Sequence, residues 1–132
     1  ETAINIFKNE ENIKKIYCAS LQNFKFEKKY DCIWIQWCLE NLEDDDLDSF
    51  LKTCKENLKD DGVIVIKENI DEDNDFSYFD TDYSKIRSDL VFKRFFLGNN
   101  LHIVKHLHHP FWPKELLNVS IYVLAKNNRL LI

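Results

Sequence analysis

Residues 31–42, Asp-Cys-Ile-Trp-Ile-Gln-Trp-Cys-Leu-Glu-Asn-Leu, run from an apolar, β-forming stretch into a polar rim. Cys32 to Ile35 are too few for a membrane span and rich in β-formers, which predicts a strand covered on both faces with Trp34 in the core. Gln36 ends the run, with Trp37 beside it. An amide in that place falls at the carboxyl end of the strand, where open parallel sheets bind their ligands.

Outward from this stretch, helix and strand patterns alternate. Asp44 to Leu58 carry Leu47, Phe50, Leu51, Cys54 and Leu58 at helical spacing, with acids in the first turn, and predict a helix. Lys59-Asp60-Asp61-Gly62 reads as a turn and Val63 to Ile66 as a second buried strand. Upstream, residues 1–11 read as the end of a helix and Ile13 to Ala19 as a strand. Residues 70–83 read as an acidic, aromatic loop, and Ser84 to Leu97 as a helix closed by Gly98-Asn99-Asn100. Leu101 to His106 and Val119 to Ala125, joined through Pro110 and Pro113, predict an antiparallel edge pair. This order predicts an α/β sheet with right-handed crossovers.

Composition narrows the function. The 132 residues, 45% hydrophobic and 14% aromatic, fit one domain with ample core. A net charge of −5 argues against nucleic acid as a partner, and neither a signal peptide nor an 18-residue apolar run speaks for a membrane. Cys18, Cys32, Cys38 and Cys54 show no CxxC and no zinc-type spacing, so they read as reduced core thiols of a cytoplasmic or nuclear protein. Asn118-Val119-Ser120 reads as a chance glycosylation sequon. The acids from Asp71 to Asp75 read as a solvated loop, since Phe76 and Asp82 stand where a calcium loop needs Gly and Glu. His102, His106, His108 and His109 read as exposed edge residues, and no metal is expected. The absence of Met predicts a piece of a longer protein, and Gly62 and Gly98 alone cannot build a glycine-rich phosphate loop.

Leu21-Gln22, YDCIWIQW from Tyr30, DGVIVIKEN from Asp61 and TDYSKIRSD from Thr81 together resemble the protein N-terminal α-amino methyltransferases. The resemblance runs from about Lys8 to Lys126. It implies a partial Rossmann-like S-adenosylmethionine (SAM)-dependent sheet with helices on both faces and an antiparallel carboxyl-terminal strand pair. Residues 1–132 would be the carboxyl-terminal portion of one methyltransferase domain, without the glycine-rich SAM loop. By the same resemblance, Leu21 and Gln22 line the adenine pocket and Gln36 contacts the methionine part of SAM. Trp37 walls the channel for the amine, and Asn69 bonds the first residues of a substrate beginning Xaa-Pro-Lys/Arg. Asp80 and Asp82, with Ser84 nearby, receive the amine or the basic third residue. Leu116 and Leu117 match the proline pocket, where the family's tyrosine is absent. The first two strands of the sheet would belong between those of Ile16 and Ile33, so the isolated chain is expected to be poorly stable or to self-associate.

Asn41 stands where the family has a histidine assigned as general base. Methyl transfer needs a neutral, aligned amine, and an α-amine has a pKa of about 7.7–8.0. Asn41 cannot take the proton, whereas Asp82 can, directly or through water. Three readings stay open: an N-terminal methyltransferase, a catalytically impaired pseudo-enzyme or binding module for basic N termini, and a methyltransferase for another acceptor.

Overall fold

The longest element is a strand, Leu58–Ile70 (β2), which carries parallel and antiparallel neighbours on its two sides. A computed structural model describes residues 2–109 and 111–127. Tyr30–Gln36 (β1) pairs parallel with β2, and the helix Asp44–Glu56 (α2) connects them, as a parallel pair requires. A short helix, Thr2–Phe7 (α1), precedes them. Phe76–Tyr78 (β3) and Lys85–Arg87 (β4) form a small antiparallel hairpin that meets β2 at Ile70. After the helix Asp89–Gly98 (α3), His102–His108 (β5) and Asn118–Ala125 (β6) are antiparallel; β6 lies between β2 and β5, so of this pair β5 is the marginal strand and β6 an inner one. Both packed helices feed one core: Leu47, Phe50, Leu51 and Cys54 of α2 and Phe92 and Phe96 of α3 meet Ile33, Ile35, Ile64, Ile66, Tyr122 and Leu124 of the sheet.

Several boundaries differ from the sequence reading for physical reasons. Ile13–Ala19 makes no ladder; it is fastened by an edge-to-face chain of rings from Tyr17 through Phe24 and Phe26 to Tyr30. A strand needs a neighbour to bond, and β-forming residues alone do not supply one. The expected turn at residues 59–62 lies inside β2 as a bulge: Tyr30 faces Leu58 but Cys32 faces Val63. Gly62 is fitted to that bulge, because a Cβ there would lie 2.8 Å from the Leu58 side chain and 2.9 Å from the Tyr30 carbonyl. The supposed loop 70–83 contains β3, and the helix expected from Ser84 starts at Asp89, where the Ser88 hydroxyl accepts the Val91 N–H. Residues 85–87 are instead a strand with every side chain buried. Gly98 does not supply a left-handed stop; Asn100, at φ 51°, has that conformation. Pro110, named for the β5–β6 connection, lies outside the described residues.

Period-two alternation explains the other departures. In β1, Ile33 and Ile35 point into the core while Cys32 and Trp34 point away, and Trp34 is 60% exposed. Trp34 is thus not a core residue. Of the four free thiols only Cys54 is buried; Cys18 and Cys32 are exposed and Cys38 is half-buried.

Candidate active site

The carboxyl ends of β1 and β2 bring Gln36 and Asn69 to one face of the sheet, because Gln36 lies opposite Lys67 and side chains two apart share a face. Gln36 is exposed, and its Oε1 accepts from Trp34 Nε1 at 3.1 Å. Trp37 follows in the left-handed region, at φ 48°, a costly conformation for an aromatic residue. Its N–H donates to the Lys67 carbonyl at 3.0 Å, and the Lys67 ammonium sits 4.6 Å from its ring centre. Trp112 reaches the same corner, 6.3 Å from Trp37 between ring centres. Asn69 donates to Glu40 at 3.2 Å, within the 3-10 turn Leu39–Asn41 that presents the exposed Asn41.

Beneath this rim are two charged residues that the sequence reading gave no role. Glu68 is 1% exposed, and its Oε1 accepts the N–H groups of Cys38 and Leu39, both at 2.9 Å. Its second oxygen is buried without a partner. Burial pushes this carboxyl up to about 7, against the two N–H bonds that favour the anion. Arg87, wholly buried, is bonded to the carbonyls of Leu39 and Leu42 and to Asp44. A signal for Glu68 existed: it continues the alternation of Ile64 and Ile66 toward Ile70, which places it on the buried face.

The β3–β4 connection carries the other acceptor-side candidates. Asp82 is exposed and its Oδ1 accepts from the Ser84 N–H at 3.0 Å and the Ser84 hydroxyl at 2.8 Å, bonds that hold its carboxyl below the usual range. Asp80 is exposed, and Ser84 is buried. Among the described residues no hydrogen bond joins Asp82 to Asn41, Trp37 or Asn69. Leu116 is exposed and Leu117 half-buried, beyond Trp112 on the β5–β6 connection. Nearby, the acidic loop departs from a solvated run at Asp71, which is buried and accepts from the N–H groups of Asp73 and Asn74.

The cofactor-side candidates divide. Leu21 lines a cavity of about 270 Å³ with Phe24, Phe26, Ile33, Ile35 and Cys38. This apolar cradle beside β1 suits a planar heterocycle such as adenine, and Gln36 offers a polar contact at the strand's end. Gln22 does not line it; its amide lies 3.5 Å from Asp46. Leu21 and the cradle therefore fit the adenine part of a SAM site, whereas Gln36 does not line that cavity and meets it only through its bond to Trp34, which does. His106 stacks on Tyr122 with ring centres 4.5 Å apart, and His102 and His108 are exposed. Among the described residues no group of three or more His, Cys, Asp or Glu could hold a metal, and no helix is long and apolar enough to cross a membrane.

Comparison with known proteins bears on this geometry. Residues 1–125 match the family model described as AdoMet dependent proline di-methyltransferase. The chain is 38% identical over 120 residues to Alpha N-terminal protein methyltransferase 1 of Dictyostelium discoideum, covering 91% of this chain and 44% of that one. It is 45% identical over 62 residues to N-terminal Xaa-Pro-Lys N-methyltransferase 1-B of Xenopus laevis, covering 46% of this chain and 28% of that protein. A solved SAM-dependent methyltransferase of Leishmania major superposes with a TM-score of 0.74 at 34% identity, covering 80% of this chain and 43% of that one. The chain thus spans less than half the length of each of these relatives.

Proposed function

The chain belongs to the AdoMet-dependent proline di-methyltransferase family, and from that premise we propose that the protein containing it methylates the α-amino group of protein N termini beginning Xaa-Pro-Lys/Arg. SAM, the cofactor of this family, would supply an electrophilic methyl group on a sulfonium. The observation that carries the reading is the convergence of Gln36, Trp37, Lys67 and Asn69 at the carboxyl ends of two parallel strands. Leu21 and the apolar cradle would hold the adenine, and Gln36, at the end of β1, would contact the methionine part of SAM. Trp37 would exclude water beside the amine, and Asn69 would fix the substrate backbone. The exposed acids Asp80 and Asp82 suit a basic third residue, since opposite charge adds a charge-assisted contact. The relative named for Xaa-Pro-Lys N termini supports this acceptor class.

In the full-length protein, Gln36→Ala is expected to weaken SAM binding by about 1–3 kcal/mol, the usual cost of leaving a polar group of the bound cofactor unpaired. Calorimetry finding SAM affinity unchanged would remove Gln36 from the cofactor site. Transfer to an Xaa-Pro-Lys peptide, but not to its acetylated form, tests the reaction itself, because acetylation takes away the attacking amine.

A binding module for basic N termini is the second reading. It is favoured by Asn41, which cannot act as a base, and by Asp82, which the Ser84 bonds make a weaker one. Among the described residues β1 pairs only with β2, so its other edge is open to a further strand. Expressed alone, the 132-residue chain is expected to self-associate there. A concentration-independent monomer by sedimentation would contradict this. The four free thiols, two of them exposed, support a proposed setting in the reducing cytoplasm or nucleus.

A further inference from the structure

Two buried charges on one face of the sheet hold the chain between Trp37 and Asp44, one through its N–H groups and the other through its carbonyls. Glu68 in β2 receives the N–H groups of Cys38 and Leu39 on one oxygen, each at 2.9 Å. Arg87 in β4 donates from Nη1 to the Leu39 carbonyl at 3.1 Å and from Nη2 to the Leu42 carbonyl at 2.5 Å. Its Nε and Nη2 also reach Asp44 Oδ1, at 3.0 and 2.8 Å. Leu39 is therefore held through both of its peptide groups, the N–H by the acid and the carbonyl by the base. A single 3-10 turn leaves most of its peptide groups without internal partners, and buried peptide groups must be paired. Here two side chains from neighbouring strands pair them.

We infer that Glu68 and Arg87 are positioning residues that set the separation between the turn bearing Trp37 and Asn41 and the hairpin bearing Asp80 and Asp82, and hence the width of the acceptor groove. Only the catalytic consequence rests on the function proposed above. A residue in the left-handed region persists when its surroundings over-determine it. Trp37 meets that condition: its own N–H is bonded to Lys67, and the next two N–H groups are bonded to Glu68. Arg87 extends the restraint to the hairpin, because its backbone pairs with Phe76 of β3 and Ile70 of β2 while its side chain holds the turn. The planar fork of guanidinium reaches two carbonyls and a carboxylate together, which a lysine ammonium on a flexible stem does not reproduce.

The test compares Glu68→Ala, Glu68→Gln and Arg87→Lys in the full-length protein. Amide hydrogen exchange across residues 37–42 reads the turn directly, and single-turnover methylation of an Xaa-Pro-Lys peptide reads its consequence. Glu68→Ala and Arg87→Lys are expected to speed exchange at least about tenfold, as local opening becomes easier. They should slow the chemical step by about 10²-fold, the cost of a misplacement of about 1 Å. SAM affinity should fall by less than the chemical step, because the β1–β2 ladder places Gln36 and the clamped segment contributes only Cys38 to the cradle. Glu68→Gln keeps an oxygen to accept both N–H groups and should restore exchange and rate to within about threefold of the parent. Unchanged exchange in Arg87→Lys, or a Glu68→Gln variant that loses protection, overturns the inference even if Glu68→Ala fails to fold. A parent that methylates no peptide refutes the proposed function alone, and the exchange measurements still decide the clamp.

Discussion

Single-turnover methylation by the full-length protein is expected to fall by about 10²–10⁴-fold in Asp82→Asn, the usual worth of general-base assistance, and to change little in Asn41→Ala. The α-amine, with a pKa of about 7.7–8.0, arrives largely protonated at neutral pH and must lose a proton before its lone pair can attack. Asn41 has no basic atom to offer. Asp82 is exposed and stays ionised throughout the working range, because the Ser84 N–H and hydroxyl hold its carboxyl low. An asparagine keeps one oxygen for those two bonds, so the loop conformation survives while the charge is lost. The loss of rate then reports the charge and not the shape of the hairpin. Asn41→His should raise the rate by restoring a base with a pKa near neutrality. If Asp82→Asn leaves the chemical step unchanged, or Asn41→His slows it while SAM and peptide still bind, the binding-module reading or a different acceptor replaces the proposed division of labour.

Stability should fall with rising pH through a window set by Glu68. Burial raises this carboxyl from 4.5 to about 7, so the folded state holds the proton more tightly than the unfolded chain does. The associated stability is fully present below pH 4.5 and is lost as pH climbs through about 7. The difference between those limits amounts to about 3 kcal/mol, from about 1.4 kcal/mol for each pKa unit. The carboxylate oxygen that lacks a partner is the source, since an anion there gives up water without a second hydrogen bond. Chemical denaturation of the full-length protein at pH 5 and pH 8, compared with Glu68→Gln, isolates this contribution. The variant should gain on its parent by about 3 kcal/mol between the two pH values; parallel pH curves would show that Glu68 titrates normally in the folded state.

Much of the candidate site was legible in the residues, and one rule accounts for much of what was missed. The apolar run before them places Gln36 and Trp37 at a strand end, and the family resemblance singles out Asn69; the three lie at the carboxyl ends of β1 and β2. A strand covered on both faces puts Trp34 in the core, whereas β1 is covered on one face; Glu68 has no role in the sequence reading although alternation places it inward. With alternation applied, Trp34 falls opposite Val65 on the outer face and Glu68 falls in line with Ile66 on the inner one. Arg87 carried no comparable signal. Its partners, Leu39, Leu42 and Asp44, lie more than forty positions away, and two of them offer backbone carbonyls that have no sequence identity at all.

By itself the sequence determined the family, through the ordered IQW, IKEN and RSD elements, and the helix Asp44–Glu56, whose apolar spacing and acidic first turn act locally. It also determined the strand character of β1, β2 and β6, because β-branched and aromatic runs bounded by polar residues suit only a pleated surface. Only the tertiary structure decided that Ile13–Ala19 stays out of the sheet, that residues 85–87 are strand and not helix, and that β6 lies inside the sheet. Strand pairing depends on which neighbour is within reach, and that is a property of the assembled chain. Burial of a charge depends on the same assembly: Glu68 and Arg87 can sit in the interior because the turn between Trp37 and Asp44 supplies the donors and acceptors that each requires.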